Sequence, residues 1–254
     1  MKEFGIIGHP LSYTLSPAMH NAAFQKLGIS ARYRAFPVKD IEEGLRIIQG
    51  NPLEGASITI PHKTAVKDRL DGLDKRASQI GSVNTVVRQG KALVGYNTDW
   101  IGVVRALEEV VSLAEKAVLL MGAGGSGRAA AYGIGKGRGT LWVANRDGDK
   151  GKEAAAAFGG RFLSWRSIRG KTFDVVINAT PEFPPFPPES FHKGMVVMDL
   201  AYGPRKTPFL AEAEKRGCMI VDGRRVLLFQ GMEQFELWTG KAAPRKAMEK
   251  AVYG

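Results

Sequence analysis

One segment, VLLMGAGGSGRAA at residues 118–130, constrains the fold of this 254-residue chain most strongly. Its apolar run predicts a buried strand, and the small residues at its end predict a helix. Between them stand Gly122, Gly124 and Gly127 in G-x-G-x-x-G spacing. In that context the first glycine permits a tight turn, the second lets the backbone approach a pyrophosphate, and the third allows the helix to pack closely on the strand. The segment predicts a dinucleotide-binding unit, and a tight turn that binds no ligand is the alternative.

Strand and helix patterns alternate along the rest of the chain, which predicts an α/β fold with mostly parallel sheets and crossover helices. The strands predicted in the first part are Phe4–Gly8, Ala31–Phe36, the run ASITI and a hairpin that turns at Gln89–Gly90, with helices at Pro17–Leu27 and Ile41–Ile48. From Asp99 the pattern restarts as a βαβαβ series, so we expect a domain boundary near residue 99. The proline-rich run PEFPPFPPES at residues 181–190 predicts an irregular loop. The closing helical segments could pack on either half.

Composition narrows the class of protein. The formal charge of +11 allows a polyanionic partner, but no helix-turn-helix, zinc-finger or aromatic RNA-binding motif accompanies it, so we do not expect nucleic-acid binding. Binding of a phosphorylated cofactor and an acidic metabolite would explain the positive net charge equally well. No apolar run is long enough to cross a membrane, no signal peptide is evident, and Cys218 is the only cysteine. These features predict a cytoplasmic protein without disulfides or thiolate metal clusters.

The strand after the glycine loop indicates which dinucleotide would bind. An NAD site usually has an acidic residue there to accept from the ribose 2′-hydroxyl, whereas this strand ends in Asn145 and Arg146. A guanidinium can bind a 2′-phosphate through paired N–H donors, and Lys150 could add positive charge. Asp147 opposes this interpretation because it returns a carboxylate to the site. The pattern favours NADP, and an exposed arginine in a loop is the alternative.

Two polar clusters in the first half predict a site for a small acidic molecule. Hydroxyl residues precede Pro17, with Ser16 as the expected N-cap of a helix, and hydroxyls at a helix N-terminus also suit a carboxylate. The run SITIPHK places Lys63 at the end of a strand, where ligands bind in open α/β sheets. An ammonium such as Lys63 and a carboxylate such as Asp99 can transfer a proton to or from a substrate hydroxyl. A surface lysine and an aspartate that only caps a helix are the alternatives.

These motifs resemble, in order and over nearly the whole chain, those of the shikimate dehydrogenase family. The similar segments are GHPLSYTLSPAMHN, ITIPHK, GSVNTV, GYNTD, GAGGSGRA, ANR, INATP, DLAYGPRKTP and FQG. The resemblance implies a split α/β substrate domain, residues 1–98 and 228–254, with a Rossmann NADP-binding domain at residues 99–227 between the two parts. It implies reversible, NADPH-dependent reduction of 3-dehydroshikimate to shikimate in aromatic amino-acid biosynthesis, without a metal. It also implies a monomer or homodimer.

The resemblance assigns a role to individual residues. Lys63 and Asp99 match the catalytic pair, with Lys63 as proton donor to the developing alkoxide. Residues that match the substrate-binding positions are Thr14 and Ser16 for the carboxylate, Tyr202 in support, and Thr59, Asn84 and Gln230 for the ring hydroxyls. Residues that match the cofactor-binding positions are Gly122, Ala123, Gly124, Gly125, Ser126, Gly127, Asn145, Arg146, Lys150, Asn178, Ala179 and Thr180.

Three departures from the family pattern keep alternatives open. Thr14 replaces a serine and Asp147 replaces a Thr or Ser, and DGRRVLLFQG stands where the family reads D-G-x-G-M-L-x-x-Q. Thr14 and Val226 favour a quinate or aminoshikimate-type dehydrogenase as one alternative. A folate-linked dehydrogenase is more distant, because the Ser/Thr carboxylate site argues against it. A non-catalytic NADP-binding regulator would explain Arg224 and Arg225, although the presence of Lys63 and Asp99 speaks against lost activity.

Overall fold

The chain forms two compact units in a computed structural model that describes residues 1–50, 53–182, 184 and 186–254. One unit comprises Met1–Thr98 together with Leu227–Gly254, and the other comprises Asp99–Val226. The chain therefore leaves the first unit once and returns to it at its C-terminal end.

Twelve strands alternate with nine helices along the described part of the chain. The strands are β1 (Lys2–Gly8), β2 (Ala31–Pro37), β3 (Leu53–Ile58), β4 (Gly72–Leu73), β5 (Thr85–Gln89), β6 (Ala92–Tyr96), β7 (Ala117–Met121), β8 (Thr140–Ala144), β9 (Arg161–Phe162), β10 (Val175–Asn178), β11 (Val196–Asp199) and β12 (Met219–Asp222). The helices are α1 (Ser16–Lys26), α2 (Ile41–Gly50), α3 (Lys75–Ile80), α4 (Asp99–Glu108), α5 (Gly125–Lys136), α6 (Gly148–Ala157), α7 (Pro208–Lys215), α8 (Gly223–Thr239) and α9 (Arg245–Tyr253).

The sheet of the first unit is mixed, with strand order β2-β1-β3-β5-β6-β4. Strands β1, β2 and β3 run parallel, and β5 pairs antiparallel with β3 and with β6. The register places Ser57 of β3 between Ile6 of β1 and Thr85 of β5. The closing helix α8 packs closely over this sheet, because a Cβ at Gly55 would stand 2.2 Å from the indole nitrogen of Trp238.

The sheet of the second unit is parallel throughout, with strand order β12-β11-β10-β7-β8-β9. Its order reverses at β7, the strand that precedes the glycine loop. In open parallel sheets the crevice at such a reversal, beyond the carboxyl ends of the strands, is where nucleotides bind. The predicted α/β class and the parallel sheet with crossover helices are confirmed in this unit.

Several predicted boundaries shift by one or two residues. Strand β3 ends at Ile58, two residues before the end of the ASITI run, because the chain turns there and the His62 N–H donates to the Thr59 carbonyl at 2.9 Å. The hairpin turn lies at residues 90–91, one residue later than predicted. In the predicted proline-rich loop, residues 183 and 185 lie outside the described residues, and Pro188–Ser190 forms one turn of 3-10 helix. Helix α3 and strands β4 and β9 were not predicted, since each is too short for a clear period.

Apolar side chains from the strands and helices of each unit form its core. In the first unit the buried cluster includes Ile7, Ile48, Leu53 and Val86. In the second it includes Leu119, Val176 and Phe209. No helix in the described part of the chain has both the length and the apolar character needed to cross a membrane.

One buried group in the first unit, the imidazole of His20, must stay neutral. The His20 ring is fully buried and stacks on Tyr33 with 4.5 Å between ring centroids. Burial lowers the pKa of His20 to about 3, and the nearby Gln234 carboxamide acts in the opposite direction. Among the described residues neither ring nitrogen has a partner in hydrogen-bonding geometry, so burial is the dominant cause. A protonated His20 would therefore destabilise this unit.

The depressed pKa predicts loss of stability in mild acid. In the unfolded chain His20 takes up a proton near its usual pKa of 6.5, but in the folded chain only near pH 3, so its stabilising contribution is complete above pH 6.5 and falls as the pH approaches 3. We expect this one group to remove ~2 kcal/mol of unfolding free energy between pH 7 and pH 5. Urea unfolding at both pH values should show a smaller acid loss in His20→Phe than in the wild type, and a wild-type loss in the control His192→Asn, at an exposed histidine. Equal acid losses in the wild type and His20→Phe would contradict the prediction.

Candidate active site

The centre of the polar site in the first unit is the carboxamide of Asn84, which is only 2% exposed. Asn84 directly precedes β5, and Thr98 follows β6, so the hairpin brings the two residues together. The backbone N–H of Thr98 donates to Asn84 Oδ1 at 2.7 Å. Because that N–H can only donate, the Asn84 atom that faces it must be the amide oxygen and not the amide nitrogen. Asn84 Nδ2 then donates to Thr98 Oγ1 at 2.9 Å.

Gln230 joins this cluster from α8, 146 residues further along the chain. Asn84 Nδ2 donates to Gln230 Oε1 at 3.1 Å, and Gln230 Nε2 donates to the Leu227 carbonyl at 2.9 Å. Asn84, Thr98 and Gln230 are all less than a tenth exposed. The three side chains together present amide and hydroxyl groups, which suit the hydroxyls of a small polar ligand.

Lys63 lies on the turn that follows β3. The sharp path of this turn is held by backbone bonds, in which Thr59 N–H donates to Ile7 O at 2.9 Å and Val83 N–H donates to Lys63 O at 2.8 Å. Thr59 and Lys63 are half-buried. Asp99, directly after Thr98, is buried and is itself the first residue of α4, so the helix begins one residue earlier than predicted. The structure thus places Lys63 and the Asn84 cluster in the same unit.

The hydroxyl-rich segment before α1 differs from the prediction in one respect. The N-cap of α1 is Leu15, Ser16 is the first helical residue, and Pro17 is the second, so the prediction that Ser16 caps the helix is wrong. Instead Thr14 Oγ1 accepts the Ser16 N–H at 3.4 Å. Because the threonine hydroxyl reaches the backbone of the first turn, the Ser16 hydroxyl is not needed for capping. Ser16 is 3% exposed and Thr14 is half-buried.

In the second unit, the glycine loop has the geometry expected of a pyrophosphate cradle. Gly122 has a φ of +104°, and a Cβ there would stand 3.0 Å from the Ala179 backbone. A Cβ at Gly127 would stand 2.2 Å from the Gly122 carbonyl oxygen, so α5 approaches the loop as closely as predicted. At Gly124, the N-cap of α5, the space around a Cβ is open to 4 Å. A phosphate group can therefore approach the backbone at the start of the helix.

The residues after β8 divide into structural and exposed groups. Asn145 Oδ1 accepts the Ala123 N–H at 3.1 Å, and its Nδ2 donates to the Asp147 carbonyl at 2.8 Å, so Asn145 holds the glycine loop in place. The Asp147 carboxylate caps α6 by accepting the N–H groups of residues 149 and 150 at 3.1 and 3.2 Å. These hydrogen bonds lower the pKa of Asp147, and the bond from the Lys150 N–H has the largest effect, although Asp147 is exposed. Arg146 is exposed.

A second polar cluster lies at the carboxyl ends of β10 and β11. Asn178 Nδ2 donates to Asp199 Oδ1 at 3.0 Å, and Asn178 Oδ1 accepts from Thr180 Oγ1 at 2.7 Å. Burial raises the pKa of Asp199, while bonds from Thr207, the Ala201 N–H and Asn178 act in the opposite direction. This cluster fixes the loop that carries Tyr202, which is half-buried. Of the predicted cofactor residues, Ala179 and Thr180 lie against Gly122, and Asn178 pairs with Met121 directly before the glycine loop.

The unusual sequence at the start of α8 is built into the second unit. Gly223 is required there, because a Cβ would stand within 2.6–2.8 Å of the carbonyl oxygens of residues 199–201. Arg224 donates from Nη2 to Asp222 Oδ2 at 2.8 Å. Arg225 donates from Nη2 to Glu109 Oε1 at 2.9 Å and also from Nε to Oε2. Both arginines are about a quarter exposed, so they serve as anchored ion pairs within the unit.

Sequence reasoning missed three residues of the Asn84 cluster: Thr98, Thr85 and Gln234. Thr98 stands in the quoted segment GYNTD directly before Asp99, so its position was available from the sequence. Thr85 also stands in a quoted segment, but its partner Gln234 lies 149 residues away. Spacing within α8 offered one signal, because Gln230 and Gln234 are four residues apart and share a helix face.

Comparisons with known proteins agree on one family. The family description "Shikimate dehydrogenase substrate binding domain" matches residues 6–86, and "Shikimate 5'-dehydrogenase C-terminal domain" matches residues 223–253. A protein of Methanothermobacter thermautotrophicus named shikimate dehydrogenase (NADP(+)) is 41% identical over 98% of this chain and 94% of its own length.

Solved structures are similar over almost the full chain. The shikimate 5-dehydrogenase of Thermus thermophilus in complex with NADP(H) and shikimate has a TM-score of 0.90 and 34% identity, covering 99% of this chain and 98% of that one. The quinate dehydrogenase of Corynebacterium glutamicum in complex with NAD has a TM-score of 0.86 and 30% identity, covering 98% of each chain. On this identity and coverage, the chain belongs to the shikimate dehydrogenase family.

Proposed function

We propose that this protein is an NADP-dependent shikimate dehydrogenase, which reversibly reduces the ring carbonyl of 3-dehydroshikimate to the hydroxyl of shikimate. The observation that carries the proposal is the hydrogen bond between Asn84 and Gln230, which assembles a buried hydroxyl-binding group from distant parts of a chain of this family. Shikimate has a carboxylate and ring hydroxyls. The first unit offers hydroxyls and a helix N-terminus for the carboxylate, and amides for the ring hydroxyls.

In this proposal the first unit holds the substrate. Ser16 and Thr14, at the start of α1, bind the carboxylate with Tyr202 in support. Thr59, Asn84 and Gln230 bind the ring hydroxyls. Support for this arrangement comes from the burial of Ser16 and of the Asn84 cluster, because a buried polar site discriminates strongly against ligands that cannot match its hydrogen bonds.

Lys63 and Asp99 are the proposed catalytic pair. During reduction Lys63 donates a proton to the oxygen that becomes the new hydroxyl, and Asp99 is the carboxylate member of the proton-transferring pair. During oxidation the same pair accepts the proton. General acid–base transfer of this kind contributes about 10²–10⁴-fold to a rate.

The second unit is the proposed NADP-binding domain, and NADPH, when bound, supplies the hydride. The glycine loop, residues 122–127, faces open space at Gly124, which suits a pyrophosphate. Arg146 binds the 2′-phosphate. Asp147 does not oppose this role, because its carboxylate is committed to the first turn of α6 and to Lys150 Nζ at 3.5 Å. We also propose that the enzyme is cytoplasmic and that it acts as a monomer or homodimer.

Quinate is the main alternative substrate. Thr14 carries a methyl group beside the carboxylate site, Val226 stands where the family has methionine, and the C. glutamicum relative is a quinate dehydrogenase. The regulator alternative loses its main support, because Arg224 and Arg225 form ion pairs within the second unit.

Absorbance of reduced nicotinamide tests the substrate and cofactor directly. The purified protein should reduce NADP rapidly with shikimate, and much more slowly with quinate or with NAD. Faster turnover with quinate would replace the proposed substrate by the alternative. No turnover in any combination, from protein that binds NADP, would leave a regulator.

Lys63→Ala should lower kcat for shikimate oxidation by about 10²–10⁴-fold, because the proton acceptor is lost. The dissociation constant for NADPH, measured by fluorescence titration, should stay at the wild-type value. Lys67→Ala, at a half-buried lysine on the following 3-10 turn, is the matched control and should retain wild-type kcat. Retention of turnover in Lys63→Ala would remove Lys63 from the mechanism.

Arg146→Ala should weaken NADPH binding much more than NADH binding, because only NADPH carries the 2′-phosphate. Loss of one charge-assisted contact corresponds to about 1.5–3 kcal/mol, or roughly 10- to 150-fold in affinity. Calorimetric titration with both cofactors measures the difference. Equal weakening of NADPH and NADH binding would mean that Arg146 supports the structure of the loop and does not bind the 2′-phosphate.

A further inference from the structure

Below Asn84, a chain of buried side chains runs across the sheet of the first unit. Tyr33 donates its hydroxyl proton to Ser57 Oγ at 2.6 Å, and Ser57 donates to Gln234 Oε1 at 2.9 Å. Gln234 Nε2 donates to Thr85 Oγ1 at 2.9 Å, and Thr85 donates to Asn84 Oδ1 at 2.7 Å. Ser57, Thr85 and Gln234 are each at most 5% exposed.

The direction of every bond in this chain is forced by two backbone groups. Gln234 Nε2 also donates to the Asn84 backbone carbonyl at 3.1 Å, and a carbonyl can only accept, so the Gln234 oxygen must face Ser57. At the other end the Thr98 N–H requires the Asn84 oxygen as acceptor. Each hydroxyl has one proton to donate, and Gln234 Nε2 already donates to Thr85. Asn84 Oδ1 at 2.7 Å is much closer to Thr85 Oγ1 than Thr98 Oγ1 at 3.4 Å, so the Thr85 proton is directed to Asn84 Oδ1.

We propose that Gln234 and Thr85 are positioning residues, which fix the Asn84 carboxamide with its NH₂ group toward Thr98 Oγ1 and Gln230 Oε1, and so fix the polar surface that the Asn84 cluster presents to substrate. Asn84 Oδ1 receives both the Thr98 N–H and the Thr85 hydroxyl, so a flipped amide would set its NH₂ group against two donors. Asn84 is thus held as the donor to Thr98 and Gln230 before substrate arrives. A pre-oriented group loses less entropy on binding than one that must reorient.

Gln234 and Thr85 belong to the Asn84 cluster, but neither is among the residues proposed to contact substrate or cofactor. The inference rests on the proposed function for the identity of the ligand. The orientation of Asn84 itself does not depend on that identity, and it can be measured without turnover.

A pair of variants at residue 85 provides the test. Thr85→Val removes the hydroxyl at nearly constant volume, and Thr85→Ser keeps it. We expect Thr85→Val to raise KM for shikimate about tenfold, the equivalent of one lost hydrogen bond at the upper end of its usual range, with KM for NADP unchanged. Thr85→Ser should restore the wild-type KM. Gln234→Met should give a smaller rise than Thr85→Val, because it frees the Thr85 hydroxyl without removing it.

Loss of stability alone must be separated from loss of positioning. Val86→Ala changes the next residue of β5, whose side chain points to the other face of the sheet into the apolar core. It should lower the urea midpoint and leave KM for shikimate unchanged. If Thr85→Val and Val86→Ala change KM alike, or if Thr85→Ser behaves as Thr85→Val does, the positioning role is overturned.

The side-chain amide signals of Asn84 in a ¹H–¹⁵N spectrum give a second readout, assigned by their absence in Asn84→Asp. These signals should move in Thr85→Val and Gln234→Met and stay in place in Thr85→Ser. If the wild type does not oxidise shikimate, the proposed function fails, and these signals alone decide whether Thr85 and Gln234 hold Asn84. Signals that are unchanged in Thr85→Val would overturn the inference even in an active enzyme.

Discussion

The polar side chains of the first unit are arranged around two buried backbone groups at the open end of the β5–β6 hairpin, which both need hydrogen-bond partners. The Thr98 N–H and the Asn84 carbonyl have lost water, and an unpaired buried polar group costs about 1–3 kcal/mol. The Asn84 amide satisfies the Thr98 N–H, and the Asn84 carbonyl accepts from the Ile58 N–H at 2.8 Å and also from the Gln234 amide. Each amide has a second end that needs its own partner. Each buried side chain that satisfies one polar group therefore brings another polar atom that needs a partner, and a chain of hydrogen bonds results. The polar character of the site is in this sense a consequence of where the hairpin ends.

Local patterns were predictable because neighbouring residues determine them. The glycine loop, the parallel strands of the second unit and the closing helices all follow from period and turn chemistry within short windows. Asp147 is a case in which one local pattern has two interpretations and only one of them was considered. Its position directly before a helical segment predicts an N-cap as readily as a carboxylate at the ribose, and the structure shows the cap.

Long-range pairs were not predictable from spacing. Gln230 could be named only through the family resemblance, and nothing in the sequence alone joins Gln234 to Thr85 or Ser57 to Gln234. Ser16 shows the opposite difficulty, since the Ser-Pro pair correctly placed the start of α1 to within one residue but assigned the capping hydroxyl to the wrong side chain. Which of two nearby hydroxyls reaches a backbone N–H depends on the path of the preceding loop.

Crowding around Gly223 has a consequence for which substitutions helix α8 can accept. Three carbonyl oxygens occupy the space where any side chain would begin, so the backbone at the first residue of α8 has no room to move. The residues just after it have room, and here two of them are arginines paired with Asp222 and Glu109. Because the start of the helix is fixed by the backbone, the charges at this end of α8 can be exchanged without turning the helix axis. Side chains further along α8, Gln230 among them, are then presented from a helix whose direction does not depend on those charges.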